Sequence, residues 1–203
     1  MSARDDILGR VRRHAPSAHA LPELPPFARG LGTGTFADFA AALERMGGKL
    51  AEPPADGSLE AWLAARFPDA GVVCSAVPEV AGNRPLASVR HARDLDDVDI
   101  GIVRAAVGVA ETGSVLLTER EMPAEALGFL VQHLVVLLDP AAIVATMHDA
   151  YANPRVAAAR YAIFMTGPSA TADIEGVLIH GAQGIRSLTV IALAGSDEHS
   201  KPL

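Results

Sequence analysis

Three stretches of the chain carry side chains suited to recognising a small anion or moving a proton. The first is Thr166-Gly167-Pro168-Ser169-Ala170-Thr171-Ala172-Asp173-Ile174-Glu175. Gly167 lets the backbone turn or approach a ligand closely. Ser169 and Thr171 offer hydroxyls that either cap a helix or hydrogen-bond an anion held at its start. Asp173 and Glu175 stand two apart, so on a helix they do not face each other and make no carboxylate pair. The second stretch is Ala110-Glu111-Thr112-Gly113-Ser114. A carboxylate set between apolar strands is costly to bury unless it is hydrogen-bonded or paired. Glu111 therefore reads either as a satisfied turn residue or as a functional acid, base or ligand group. It is the single candidate catalytic residue, with Thr112, Gly113 and Ser114 as ligand-binding candidates beside it. The third stretch is His180-Gly181-Ala182-Gln183-Gly184-Ile185-Arg186. Gly181 and Gly184 mark a loop around Gln183. Arg186 reads either as an ordinary surface arginine or as a bidentate clamp for carboxylate or phosphate.

Other chemistries lack their residues. No two histidines have the H-E-x-x-H spacing of a zinc helix, and there is no G-x-S-x-G elbow. Gly30-Leu31-Gly32-Thr33-Gly34 is glycine-rich, but no strand precedes it and no Walker lysine follows it. No metal or cofactor is expected. His133 precedes an aliphatic strand and His148 lies on a helix; both read as structural. The chain has one cysteine, Cys74, within Gly71-Val72-Val73-Cys74. One cysteine makes no intrachain disulfide and cannot hold an iron–sulfur cluster alone, so Cys74 reads as a small buried hydrophobe. A net charge of -7 disfavours a nucleic-acid binder, which needs a basic footprint. No run reaches the ~18 apolar residues of a membrane span, and Met1 to His14 lacks an apolar signal core. A cytoplasmic protein is expected.

The elements that must position these residues can be read from caps and periodicity. A first helix carries Ile7, Leu8 and Val11 as a narrow stripe packed on the domain. Pro16 to Gly34 is an irregular arm. Residues 1–34 thus form a helix and arm, and 35–203 a single α/β domain. Thr35 caps a helix with Phe36, Phe39, Ala40, Leu43 and Met46 on one face, stopped by Gly47-Gly48. Ser58 caps another, with Leu59, Trp62 and Leu63 inside and Pro68 as breaker. Val72 to Val77 reads as the first strand. Asp94-Leu95-Asp96-Asp97 is a solvated connection. Ile100 to Ala110 and Ser114 to Thr118 read as strands joined by the tight turn at Glu111-Thr112-Gly113. Leu134 to Leu138 is an aliphatic strand. Asp139-Pro140 then starts a helix whose stripe is Ile143, Val144, Met147 and Tyr151. Tyr161 to Thr166 is a strand, a helix begins near Ser169 to Thr171, and Leu188 to Leu193 is the last strand. That alternation predicts βαβ units and a three-layer α/β fold with a mainly parallel sheet. Thr166 to Glu175 then falls at a strand's carboxyl end, where such sheets bind ligands.

At these residues the chain resembles the lactate utilization protein C family, the LUD domain. The family's Gly-Ile step is matched at Gly101-Ile102. Its A-E-T-G followed by Ser or Thr is matched at Ala110 to Ser114, and the aliphatic strand after it at Val115-Leu116-Leu117. His133 matches a histidine before a Val-rich strand. T-G-P-S-x-T-A-D-I-E is matched at every fixed position from Thr166 to Glu175. The G-x-x-G loop and V-I strand match Gly181, Gly184 and Val190-Ile191. The resemblance spans about residues 70 to 195. One departure is Gln183-Gly184-Ile185, where the family usually has His-Gly-Pro, so no imidazole stands there to move a proton.

The resemblance implies a fold like that of the sugar-phosphate isomerases and CoA-transferases. It also implies a role in oxidising lactate to pyruvate beside partner subunits that carry iron–sulfur clusters, with this chain as the cluster-free component binding a small anionic metabolite. Two other functions remain open. One is a stand-alone transferase or isomerase using CoA or a phosphorylated substrate, with Glu111 as nucleophile as in the CoA-transferase relatives. The other is a ligand-binding or regulatory module without turnover.

Overall fold

The computed structural model of the chain describes residues 2–17, 20, 22, 34–54 and 58–194. Most of the expected irregular arm lies outside them. Helix α1 (Ala3–Arg13) starts at Ser2, whose side chain accepts from Asp5 N while Asp5 answers as a capping box. None of its residues is buried, and Ile7 and Val11 are 60% and 63% exposed. The expected packing of its stripe on the domain is not seen among the described residues. Helix α2 (Phe36–Arg45) has the same capping logic at Thr35 and Asp38, and it buries Phe39, Ala42 and Leu43. It stops where Gly47 turns to φ +81.

After α2 come β1 (Lys49–Ala51), α3 (Leu59–Arg66, capped by Ser58) and β2 (Val73–Ser75). Then follow β3 (Ile100–Arg104), β4 (Val107–Val109), β5 (Ser114–Thr118), α4 (Leu127–Leu130) and β6 (His133–Leu138). The last third holds β7 (Ile143–Val144), α5 (Met147–Tyr151), α6 (Pro154–Ala158), β8 (Ala162–Met165), β9 (Ala170–Ile174), β10 (Val177–His180) and β11 (Ser187–Ala192).

The central sheet runs β1-β11-β6-β3-β2 and is parallel throughout. Strand β6 is aliphatic from Leu134 to Leu138, and β3 is buried along its whole length, because both of their faces are covered. Alternation along β6 sends Leu134, Val136 and Leu138 into one core with Phe39, Leu43 and Leu127. Val135 and Leu137 enter a second core under α3, with Leu59, Leu63 and Ile102. A second sheet, β7-β4-β5-β8, lies against the first core through Val115 and Leu117, and Leu116 faces away toward Ala150 of α5. The expected α/β architecture with a mainly parallel sheet stands. Among the described residues no helix is long and apolar enough to cross a membrane.

Four local expectations are corrected. Ile100 to Ala110 is two strands, not one. The chain changes sheets at Ala105-Ala106, where Ala105 N donates to Leu137 O and Ala106 N to Leu116 O. Asp139 does cap, accepting from Ala141 N at 2.9 Å, but only a 3-10 turn over Pro140–Ala142. The β-branched pair Ile143-Val144 then joins β4 as an edge strand, and Thr146 with Asp149 opens α5 afresh. Tyr151 is accordingly 61% exposed and not part of a buried stripe. Strand β8 exists, but it pairs antiparallel with β5 in the second sheet, so β6, β8 and β11 are not successive βαβ strands. Finally, no helix begins at Ser169 to Thr171. That segment is β9, and it forms a hairpin with β10 through Glu175 (φ 53) and Gly176 (φ 70). Two successive positive φ values are the geometry of a two-residue hairpin turn.

Candidate functional site

The two motif segments meet. Val115 is paired with Met165, and the Ser114 and Thr166 hydroxyls hydrogen-bond each other at the seam between β5 and β8. Thr112 Oγ1 donates to Ser114 Oγ at 2.8 Å. The glycines in both segments serve packing. Gly113 (φ +68) faces α2 so closely that a Cβ there would lie 2.1 Å from Leu43 N. A Cβ on Gly167 (φ +66) would lie 2.1 Å from Met46 O. Both motifs therefore seat the carboxyl end of α2 on the second sheet. Glu111 is exposed, and its Oε2 accepts from Met147 N at 2.9 Å. Its carboxylate is not buried, and the bond ties the β4–β5 turn to the first turn of α5.

Around Ser169 the backbone is fully engaged. Ser169 N donates to Ile185 O at 2.9 Å, and Gly181 N donates to Ser169 O at 2.6 Å. Gly167, Pro168, Ser169 and Gly184 line an apolar groove of about 240 Å³ together with Phe129 and Met165. Thr171, Asp173 and Gln183 do not line it; Thr171 Oγ1 accepts from Asp173 N at 3.3 Å, and Asp173 and Gln183 are exposed. Since β9 is a strand, no helix dipole acts here. The groove also lies beside the loops that enter β6 and β11, at the amino ends of the parallel strands, not the carboxyl ends. No cation lines it.

Arg186 points elsewhere, into a cleft of about 580 Å³. Its walls are the starts of four parallel strands: Lys49 opens β1, His133 opens β6, Ser187 opens β11, and Asp99 precedes β3. Arg66, at the end of α3, completes it. The pairing Ser187↔His133 puts these two side by side, with His133 Nδ1 and Ser187 Oγ 2.8 Å apart. The Phe67 ring stacks on His133 at 4.7 Å, and the Arg66 guanidinium lies 5.4 Å from the Phe67 ring centre. Lys49, Arg66 and Arg186 have no carboxylate partner among the described residues. The nearby Asp99 carboxylate instead accepts from Gly71 N at 2.7 Å and Val72 N at 2.9 Å. The cleft thus presents three cations, a hydroxyl and an imidazole beside the carboxylates of Asp69 and Asp99, a lining in which positive charge outnumbers negative by one and whose cations suit a small anion.

His133 reports this electrostatic field. Burial pushes its pKa below the ordinary value, and Arg186, Arg66 and Lys49 push the same way, while Asp99 pulls it up. A histidine with a depressed folded-state pKa stabilises the fold above its unfolded value, about 6.5. That contribution is lost as pH falls through the folded pKa, because the unfolded chain takes up the proton more readily. An imidazole titration by NMR is expected to place the His133 midpoint below 6.5, and stability should fall on acidification through that window. A His133→Gln protein whose stability follows pH identically over that range would remove this histidine as the cause.

Sequence reading identified Arg186 but not its neighbours. His133 reads as structural in the sequence, and Lys49, Arg66 and Ser187 carry no motif there. Three of these four stand directly at the start of an aliphatic strand. Their convergence follows once the strands are known to be parallel, since all starts then lie at one end.

The family model for the LUD domain matches residues 69–193. The fold is similar to that of a crystallised DUF162 family protein from Deinococcus radiodurans. That chain is 20% identical, with a TM-score of 0.57 over 77% of this chain and 94% of that one. Comparison with curated proteins matches none of them.

Proposed function

The chain belongs to the LUD domain family, and from that premise we propose that it is a cluster-free component of a lactate utilization system, of the lactate utilization protein C type, binding a small carboxylate metabolite. The observation that carries this reading is the cleft at the amino ends of the parallel strands. Arg186, Arg66 and Lys49 line it without carboxylate partners among the described residues. A guanidinium can take both oxygens of a carboxylate, and an ammonium adds a point charge. In this reading the ligand sits at the opposite end of the sheet from the one expected for open α/β folds. Oxidation of lactate to pyruvate removes two electrons. One buried cysteine, Cys74, cannot by itself ligate a cluster to carry them. Electron transfer is assigned to iron–sulfur partner subunits. Glu111, exposed and bonded to Met147 N, has no part in the proposal.

Calorimetry or NMR titration with lactate and pyruvate tests it. Binding should raise the His133 midpoint, because an anion in the cleft offsets the three cations. Arg186→Gln should weaken binding about 10-fold or more, the worth of a hydrogen bond to a charged group. Unchanged affinity in Arg186→Gln, or no binding at millimolar concentrations, would sink the reading.

A further inference from the structure

A second cavity, of about 290 Å³ and open to solvent, adjoins the cationic cleft. Its lining is apolar: Leu63 and Ala64 from α3, Val73 from β2, Ile100 from β3, and Val80 from the loop after β2. Phe67 and Ala70 line both the cavity and the cleft. Phe67 stands where the two meet, edge-on to Trp62 at 6.2 Å and stacked on His133 at 4.7 Å.

We infer that cleft and cavity form one site for an amphipathic anion, a single carboxylate bearing an acyl chain longer than three carbons. The inference rests on the anion reading of the cleft and extends it to the rest of the ligand. The cations lie only on the cleft side of Phe67. On the cavity side the polar groups are Glu60 and Asn83. Asn83 is spent on the backbone, accepting from Val73 N at 2.8 Å and donating to Gly71 O at 2.7 Å. Glu60 repels a second negative charge. That end therefore selects an uncharged, apolar tail, and the dicarboxylates are disfavoured. Cleft and cavity have the concavity and the mix of apolar wall and few convergent polar groups of ligand sites in general. A three-carbon acid fills only the cleft's cationic corner and leaves the apolar cavity to water.

The chain's one tryptophan, Trp62, touches Phe67 and gives the readout. Its fluorescence is followed while the full chain is titrated with propionate, butyrate and hexanoate. Affinity is expected to rise about threefold to fourfold per added methylene, the increment for burying a CH₂ group. Ala64→Leu, at an exposed helix position whose side chain borders the cavity, should bring the hexanoate-to-propionate ratio close to one. Ala81→Leu, on the opposite rim, does the same from a loop and stands in if the helix variant misfolds by circular dichroism. Arg186→Gln should weaken all three acids together. A flat chain-length series in the parent protein overturns this inference and leaves the anion cleft intact. A series equally steep in both alanine variants also overturns it, because the tail then binds elsewhere. Failure of every acid to bind overturns the inference and the anion reading together.

Discussion

The Gly113→Ala protein is expected to lose about 2–5 kcal/mol of stability, read as a lowered urea midpoint with an unchanged slope. Two costs combine. The residue sits at φ +68, a left-handed conformation that costs an L side chain roughly 1–2 kcal/mol. The added methyl would also meet backbone rather than a yielding side chain: Leu43 N at 2.1 Å, Leu43 Cα at 2.5 Å and Ala42 C at 2.6 Å. Helix α2 has to retreat, and Phe39 and Leu43, both fully buried, retreat with it. Overpacking of this kind costs about 1–3 kcal/mol or more. Gly176→Ala isolates the first cost. Gly176 has φ +70, but a Cβ there meets nothing within 4 Å, so about 1 kcal/mol should be lost. Equal losses in the two proteins would refute the close approach of the Glu111-Thr112-Gly113-Ser114 turn to α2.

Glu79→Ala is expected to cost about 3 kcal/mol, because it strands a buried cation. Arg104, the last residue of β3, is 6% exposed. Its Nη2 lies 2.5 Å from Glu79 Oε1, and its Nη1 donates to Leu193 O at 3.1 Å. The pair ties the loop after β2 to the segment leaving β11. It is imperfect: Arg104 Nε and Glu79 Oε2 are buried without a hydrogen-bond partner among the described residues. Such a pair adds little over a well-packed apolar replacement, whereas half of it is a liability. The double variant Glu79→Leu/Arg104→Met should therefore recover most of the loss. Denaturation of both proteins decides the matter, and a loss below about 1 kcal/mol in the single variant would show that water reaches Arg104.

The central strands were legible because a parallel sheet covered on both faces leaves a simple trace. Leu134 to Leu138 is an uninterrupted aliphatic run and Leu188 to Leu193 is broken only by Thr189, and β6 and β11 occupy them. Helices α2 and α3 were legible from Thr35 and Ser58, whose capping bonds are formed. The failures share one cause. Asp139 and Ser169 carry real capping chemistry, but a cap only permits a helix. Pairing of Ile143-Val144 with β4, and of β9 with β10, competed for the same residues and prevailed. The turn that decides the second case, Glu175-Gly176, lacks the usual Asn-Gly or Asp-Gly signature. The Lys49-Leu50-Ala51 strand is too short for periodicity to register. Of the cleft, only Arg186 was legible. Lys49, Arg66, His133 and Ser187 come together through strand order, which no local pattern reveals.

That order also sets a timetable. Strand β1 has a single neighbour in the sheet, and its partners are Thr189, Val190 and Ile191. These are among the most non-local pairs the chain makes, and closing so large a loop is slow. During synthesis α2 and β1 emerge early, while the strand that must receive β1 emerges after the whole second sheet. Until then Lys49-Leu50-Ala51 and the adjoining edge of β6 keep their backbone donors and acceptors open to other chains. A ribosome stalled between residues 138 and 187 would hold a nascent chain with both edges unpaired, and a chaperone that shields them would have its longest task here.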